Sequence, residues 1–140
     1  DIVWMIKPGD TEAGSLKQRM ERFAYEICSS KNIEVSIQID DLEKAKLTME
    51  QRKNIYLIFK EAINNAVKYS GTKKIMISAN TLNKATTLLV KDEGKGFETS
   101  LIKKGNGLDN MQNRAKELGG KLDIAASPGN GTTVELTIPV

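Results

Sequence analysis

The chain has 140 residues, enough for one domain with its own core, and carries 21 Lys+Arg against 18 Asp+Glu, a formal charge of +3. That balance is too mild, and the 5% aromatic share too low, to indicate a nucleic-acid surface. Histidine is absent and Cys28 is the single cysteine, which excludes imidazole acid–base catalysis, imidazole or cysteine-cluster metal sites and an internal disulfide on this chain.

The opening run Ile2-Val3-Trp4-Met5-Ile6 is apolar but stops at Pro8-Gly9, far short of the ~20 residues that span a bilayer. It has no cleavage site of signal-peptide type. Beginning at Asp1 inside an apolar segment, the sequence reads as a piece of a longer protein, and its composition as that of a soluble chain in a reducing compartment. Residues 15–29 predict a helix with Leu16, Met20, Phe23, Ala24 and Ile27 on one stripe and Cys28 as a small helix-face residue. Residues 33–39 alternate strictly and predict a strand. Thr48, with Gln51 three residues on, forms a capping box for a long helix that runs to about Tyr69 and stops before Gly71. Residues 74–80 and 86–91 predict two strands around a turn near Asn83. A further helix follows Gly107 and ends at Gly119-Gly120, and residues 121–126 and 132–138 predict a last hairpin. The order α, β, α, β, β, α, β, β predicts an α+β domain, a two-layer α/β sandwich.

Four places on this frame have chemistry in them. On the long helix Ile55, Ile58, Phe59, Ala62, Ile63 and Ala66 make an apolar arc, and Glu61, Asn65 and Lys68 a polar stripe at its edge. The stripe suits a solvated face with an i,i+4 pair; it equally suits a cleft wall, where a carboxamide oxygen binds a hard cation and a carboxylate polarises a nucleophile. Asp92 ends a strand and is followed by Gly94-Lys95-Gly96, either a tight turn or an acceptor for a ligand amine beside backbone that a flat ring can approach. Gly105-Asn106-Gly107-Leu108 leads into a helix, an ordinary glycine-rich entry or a phosphate-binding one. No Gly-Lys-Ser/Thr follows it, so it is not a Walker-type loop, and it does not fit the dinucleotide fingerprint. Gly129-Asn130-Gly131-Thr132 needs no function as a hairpin turn.

Together these segments resemble the ATP-binding domain of the GHKL superfamily, which includes histidine kinases, gyrase- and MutL-type ATPases and heat-shock chaperone ATPases. Residues 61–70 (EAINNAVKYS) resemble the N-box and residues 92–97 (DEGKGF) the G1 box. Residues 105–108, with Asn110-Met111 and Arg114-Ala115, resemble the G2 box and the helix after it. Leu118-Gly119-Gly120, Ser127-Pro128-Gly129, Gly131-Thr132 and Ile138-Pro139 are similar to the tail of sensor histidine kinases in the branch with NarL/LuxR- or LytR-type partners.

The resemblance implies the Bergerat fold, a mixed, mostly antiparallel sheet with three helices on one face, binding ATP and Mg2+. It implies Asn65 as the magnesium ligand and Glu61 as the catalytic base or orienter. Lys68 and Tyr69 would lie on the phosphate and ribose side. Asp92 would take the adenine amine, with Gly94 serving the turn and Gly96 letting the base approach. Gly105, Asn106, Gly107 and Leu108 would hold the phosphates, and Thr132 would support adenine. Residues 98–104 would be a short lid. Residues 1–10 would be the end of an upstream helical dimerisation segment and hinge, and residues 11–140 the catalytic domain.

Where the NarL-type branch commonly has His after the N-box Lys, this chain has Tyr69, which implies a changed contact. The partners implied are the protein's own phosphoacceptor hairpin, absent from this chain, and a response regulator receiver domain; no nucleic acid is implied. The fragment would be a monomer, the full-length protein a homodimer, and the location cytoplasmic, alone or as part of a membrane-anchored sensor. Two other readings are an anti-sigma-factor-type serine/threonine kinase, which shares these boxes, and a docking module that keeps the fold without the chemistry. Phosphotransfer to a histidine hairpin or to an anti-sigma antagonist distinguishes the first, and nucleotide binding the second.

Overall fold

Two capping boxes start the two long helices. At α1 (Leu16–Ser30) the Ser15 hydroxyl accepts from the Gln18 amide at 3.1 Å, and Gln18 Oε1 accepts from the Ser15 amide at 3.0 Å. At α3 (Met49–Asn65) Thr48 and Gln51 exchange the same pair of bonds at 3.1 and 2.8 Å. Each box satisfies two otherwise orphaned backbone donors. The computed structural model describes residues 15–94, 108–126, 129 and 131–139, of which 69, 70 and 108 are described through the backbone alone.

The remaining elements are β1 (Glu34–Gln38), a four-residue α2 (Asp41–Lys44), β2 (Lys74–Leu82), β3 (Ala85–Asp92), α4 (Leu108–Glu117), β4 (Lys121–Ala126) and β5 (Thr132–Pro139). The sheet order is β1-β2-β3-β5-β4; β1 and β2 are parallel and every other pair is antiparallel. This is the expected α+β sandwich with a mixed, mostly antiparallel sheet. One face of the sheet is apolar with period two, through Ile75, Ile77, Ala79, Leu88, Val90, Leu136 and Ile138. Helix α1 contributes Leu16, Met20, Ala24 and Cys28 to that core, and α3 contributes Ile55, Ile58, Phe59, Ala62 and Ile63.

Three local details shape the ends of these elements. First, α3 does not run on as a plain helix to Tyr69; after Asn65 the chain makes one π-helical turn (Ala66–Ser70), and Gly71 ends it at φ +66°. Second, Asn83 and Lys84 both take positive φ, 54° and 65°, which is the two-residue turn that fits strand twist in the β2–β3 hairpin. Third, Gly120 lies so close to β5 that a Cβ there would stand 2.5 Å from the Thr137 carbonyl oxygen. That contact sets the end of α4 against the sheet.

Candidate nucleotide site

Strand β3 ends in Asp92 because its alternation puts Leu88, Val90 and Asp92 on the buried face in turn. The side chain is therefore carried under the helices and is 4% exposed. The Gly94 amide donates to Asp92 Oδ1 at 2.9 Å. Burial pushes the carboxyl above the usual carboxylate range, and backbone hydrogen bonds from Gly94 and Thr132 oppose the shift.

The register pairs Asp92 with Thr132 at the start of β5. The Thr132 hydroxyl is buried and has no hydrogen-bond partner among the described residues, a costly state for a polar group unless a ligand or water completes it. Asp92, Thr132 and Asn65 line one hollow. Its apolar walls are Ala62 and Ala66 from the helix, Val90 and Val134 from the sheet, Ile124 from β4 and Met111 from α4. A carboxylate and a hydroxyl among apolar walls suit a flat heterocycle with an exocyclic amine. The hollow is narrow, about 10 Å³, which is room for one water. A purine is larger than this space, so its entry requires the walls of the hollow to move apart.

A second, wider cavity of about 260 Å³ adjoins it, with Met111 in the wall of both. It lies between α3, which offers Leu57, Lys60, Glu61 and Asn64, and α4, which offers Asn110, Met111 and Arg114. Glu61 has no ion pair or hydrogen bond among the described residues, so its carboxylate is open to a ligand. Among the described residues no group of three or more His, Cys, Asp or Glu could hold a metal. A lone carboxamide such as Asn65 suits a cation whose other ligands are phosphate and water, as magnesium's commonly are.

Glu61 and Asn65, expected on one stripe, thus open into adjacent hollows. Lys68 is exposed on the π turn and lines neither. Gly96, Gly105, Asn106, Gly107, the segment 98–104 and the segment 1–10 lie outside the described residues, as do the side chains of Tyr69 and Leu108. Nothing in the sequence singles out Asn64 and Lys60; only the facing helix makes them cavity residues. Gly131 has φ +77°, and a Cβ on it would overlap the Asp92 backbone carbonyl.

A family model described as histidine kinase-, DNA gyrase B- and HSP90-like ATPase matches residues 50–140. The sensor histidine kinase LiaS of Bacillus subtilis is 27% identical over 136 residues, 96% of this chain and 37% of LiaS. The sensor protein VraS of Staphylococcus saprophyticus is 30% identical over 103 residues, 73% of this chain and 30% of VraS. The chain spans between 25% and 37% of the length of the curated relatives it matches. Among solved structures, the histidine kinase domain of a blue-light activated histidine kinase from Erythrobacter litoralis has a TM-score of 0.74, at 19% identity, over 89% of this chain and 58% of that one. Full-length ShkA in complex with AMPPNP has a TM-score of 0.71, at 18% identity, over 95% of this chain and 30% of that one. At these identities the structural likeness is one of fold. The chain belongs to the family of histidine kinase-, DNA gyrase B- and HSP90-like ATPases, as an ATP-binding domain homologous to those of sensor histidine kinases.

Proposed function

We propose that this domain binds ATP with magnesium and passes the γ-phosphoryl group to a histidine on an upstream dimerisation hairpin, for relay to the receiver domain of a response regulator of NarL/LuxR or LytR type. The full-length protein would be a homodimer acting in the cytoplasm. The observation that carries this reading is the buried Asp92 carboxyl beside the Thr132 hydroxyl, which has no partner among the described residues, in one apolar-walled hollow. Asp92 accepts the adenine amine, and Thr132 completes its hydrogen bonding on the base.

Glu61 stands in the adjoining cavity, where the acceptor imidazole enters. An imidazole nitrogen bonds to the γ-phosphorus as the bond to the β–γ bridging oxygen breaks. ADP leaves with that electron pair, and Glu61 accepts the hydrogen bond, then the proton, of the other ring nitrogen. Asn65 would hold magnesium, which when bound would supply charge neutralisation for the phosphates. Such chemistry is mostly positioning and charge neutralisation, which needs no histidine on this chain.

The test is phosphotransfer in trans. The chain, ATP and magnesium are incubated with a separately made histidine hairpin from a homologous sensor kinase. The hairpin acquires acid-labile phosphate, and Glu61→Gln lowers the rate by roughly 10²–10⁴-fold while nucleotide binding persists. Labelling of an anti-sigma antagonist in place of the hairpin, or nucleotide binding without any transfer, contradicts the assignment.

A further inference from the structure

The α3–α4 cavity contains a cation, Arg114, that forms no ion pair with a carboxylate among the described residues. Arg114 and Glu117 lie three residues apart on α4, a spacing at which opposite charges ordinarily meet. Here the carboxamide of Asn54 stands between them. Arg114 Nη1 donates to Asn54 Oδ1 at 3.1 Å, and Asn54 Nδ2 donates to Glu117 Oε1 at 3.4 Å. Asn54 is 1% exposed, in a helix face otherwise filled by Ile55, Ile58 and Phe59, where an apolar side chain would pack without the desolvation cost of an amide. What the amide accomplishes is to hold a guanidinium and a carboxylate apart. Among the described residues the Arg114 guanidinium has no other hydrogen-bond partner and no ion pair, so most of its five N–H donors remain for a ligand. The other cavity cation, Lys60, already lies over the rings of Phe23 and Tyr56, at 5.3 and 5.5 Å from their centroids.

We propose that Arg114, held in the wall of the α3–α4 cavity by the buried carboxamide of Asn54, contacts the terminal phosphoryl group of the bound nucleoside triphosphate. This rests on the nucleotide reading above and extends it to a residue on α4. Met111 walls both hollows, so a ligand whose base lies against Asp92 has the cavity of Arg114 as its neighbouring space. Arg114 presents a planar fork suited to phosphate oxygens. Asn54 is a positioning residue, since it touches Arg114 and not the ligand.

The test compares a nonhydrolysable ATP analogue with ADP, each with magnesium, by calorimetry on the chain. The readout is the ratio of the two affinities, which does not depend on the fraction of folded protein. Arg114→Gln weakens the triphosphate by about tenfold and leaves ADP within about twofold; Arg114→Lys recovers part of the loss. Asn54→Leu lowers the same ratio, and adding Arg114→Gln to it lowers it no further. Equal loss for both nucleotides, or none, overturns the contact. Additive losses overturn the positioning role of Asn54. A wild-type chain that binds neither nucleotide overturns the nucleotide reading itself, an outcome distinct from a wild type that binds both while Arg114→Gln changes nothing.

Discussion

Asp92 and Thr132 are register partners across the β3–β5 ladder, so one carboxyl and one hydroxyl with no partner among the described residues end in the same hollow. The arrangement is sensitive to register, because a slip of one residue turns every side chain of a strand to the opposite face. Gly131 guards it. Its positive φ and the Asp92 carbonyl against its α-carbon bring β5 onto β3 one residue before Thr132.

Gly131→Ala should therefore damage both stability and nucleotide binding. Gly129→Ala is the control, since Gly129 has φ +84° but a Cβ there would meet nothing within 4 Å. Backbone strain alone costs about 1 kcal/mol, and the added clash at Gly131 about 1–3 kcal/mol more. Thermal melts and ATP titrations of the two variants check this; equal effects at both positions would mean that the close approach to Asp92 contributes nothing.

Asp92→Ala should weaken ATP and ADP alike, by about tenfold or more, the worth of a hydrogen bond to a charged group. GTP should compete poorly with ATP on the wild type, because it carries a carbonyl where adenine carries the amine. Competition titrations decide; equal affinity for ATP and GTP takes Asp92 out of base recognition.

Much of this arrangement is legible in the residues. The Thr48–Gln51 box, the alternation of β3 and the glycines around Asp92 each follow from a local rule. The same rule applied at Ser15 and Gln18 finds the second box. Helix α2 is only four residues long, too short for periodicity to register. The π turn is invisible for another reason: Ala66 to Ser70 continue the helical pattern, and the extra residue per turn is a matter of backbone hydrogen bonds. In the sequence Asn54 is one polar residue on a helix; its role as a divider depends on α4, sixty positions away for Arg114. The parallel pairing of β1 with β2 is likewise a tertiary fact, since either direction would satisfy the alternation of residues 33–39.

Asn65→Ala should leave the fold intact and flatten the dependence of nucleotide affinity on magnesium. Asn65 lines the same hollow as Asp92 and offers one carboxamide oxygen of the kind magnesium takes alongside phosphate and water. ATP titrations across magnesium concentrations measure this, and an unchanged magnesium dependence would assign the metal to another ligand.

Burial holds the Asp92 carboxyl above its ordinary value of 3.8 in the folded chain. A carboxyl raised on folding contributes stability that is full below the unfolded value and is lost as pH rises through the folded one. The ionised form of Asp92 is therefore the one that burial disfavours in the ligand-free chain. Asp92→Asn should raise the melting temperature at neutral pH by roughly 3 °C, and the gain should shrink as pH falls towards 4. A difference that stays constant from pH 7 to 4 means the carboxyl is not held above its ordinary range.

The most direct test is an amide chemical-shift map of the chain titrated with ATP and magnesium. The amides of Gly94, Thr132, Asn65 and Met111 should move together and saturate at one nucleotide per chain. If saturating nucleotide leaves these four amides where they were, the hollow between β3, β5 and α4 is not where ATP binds.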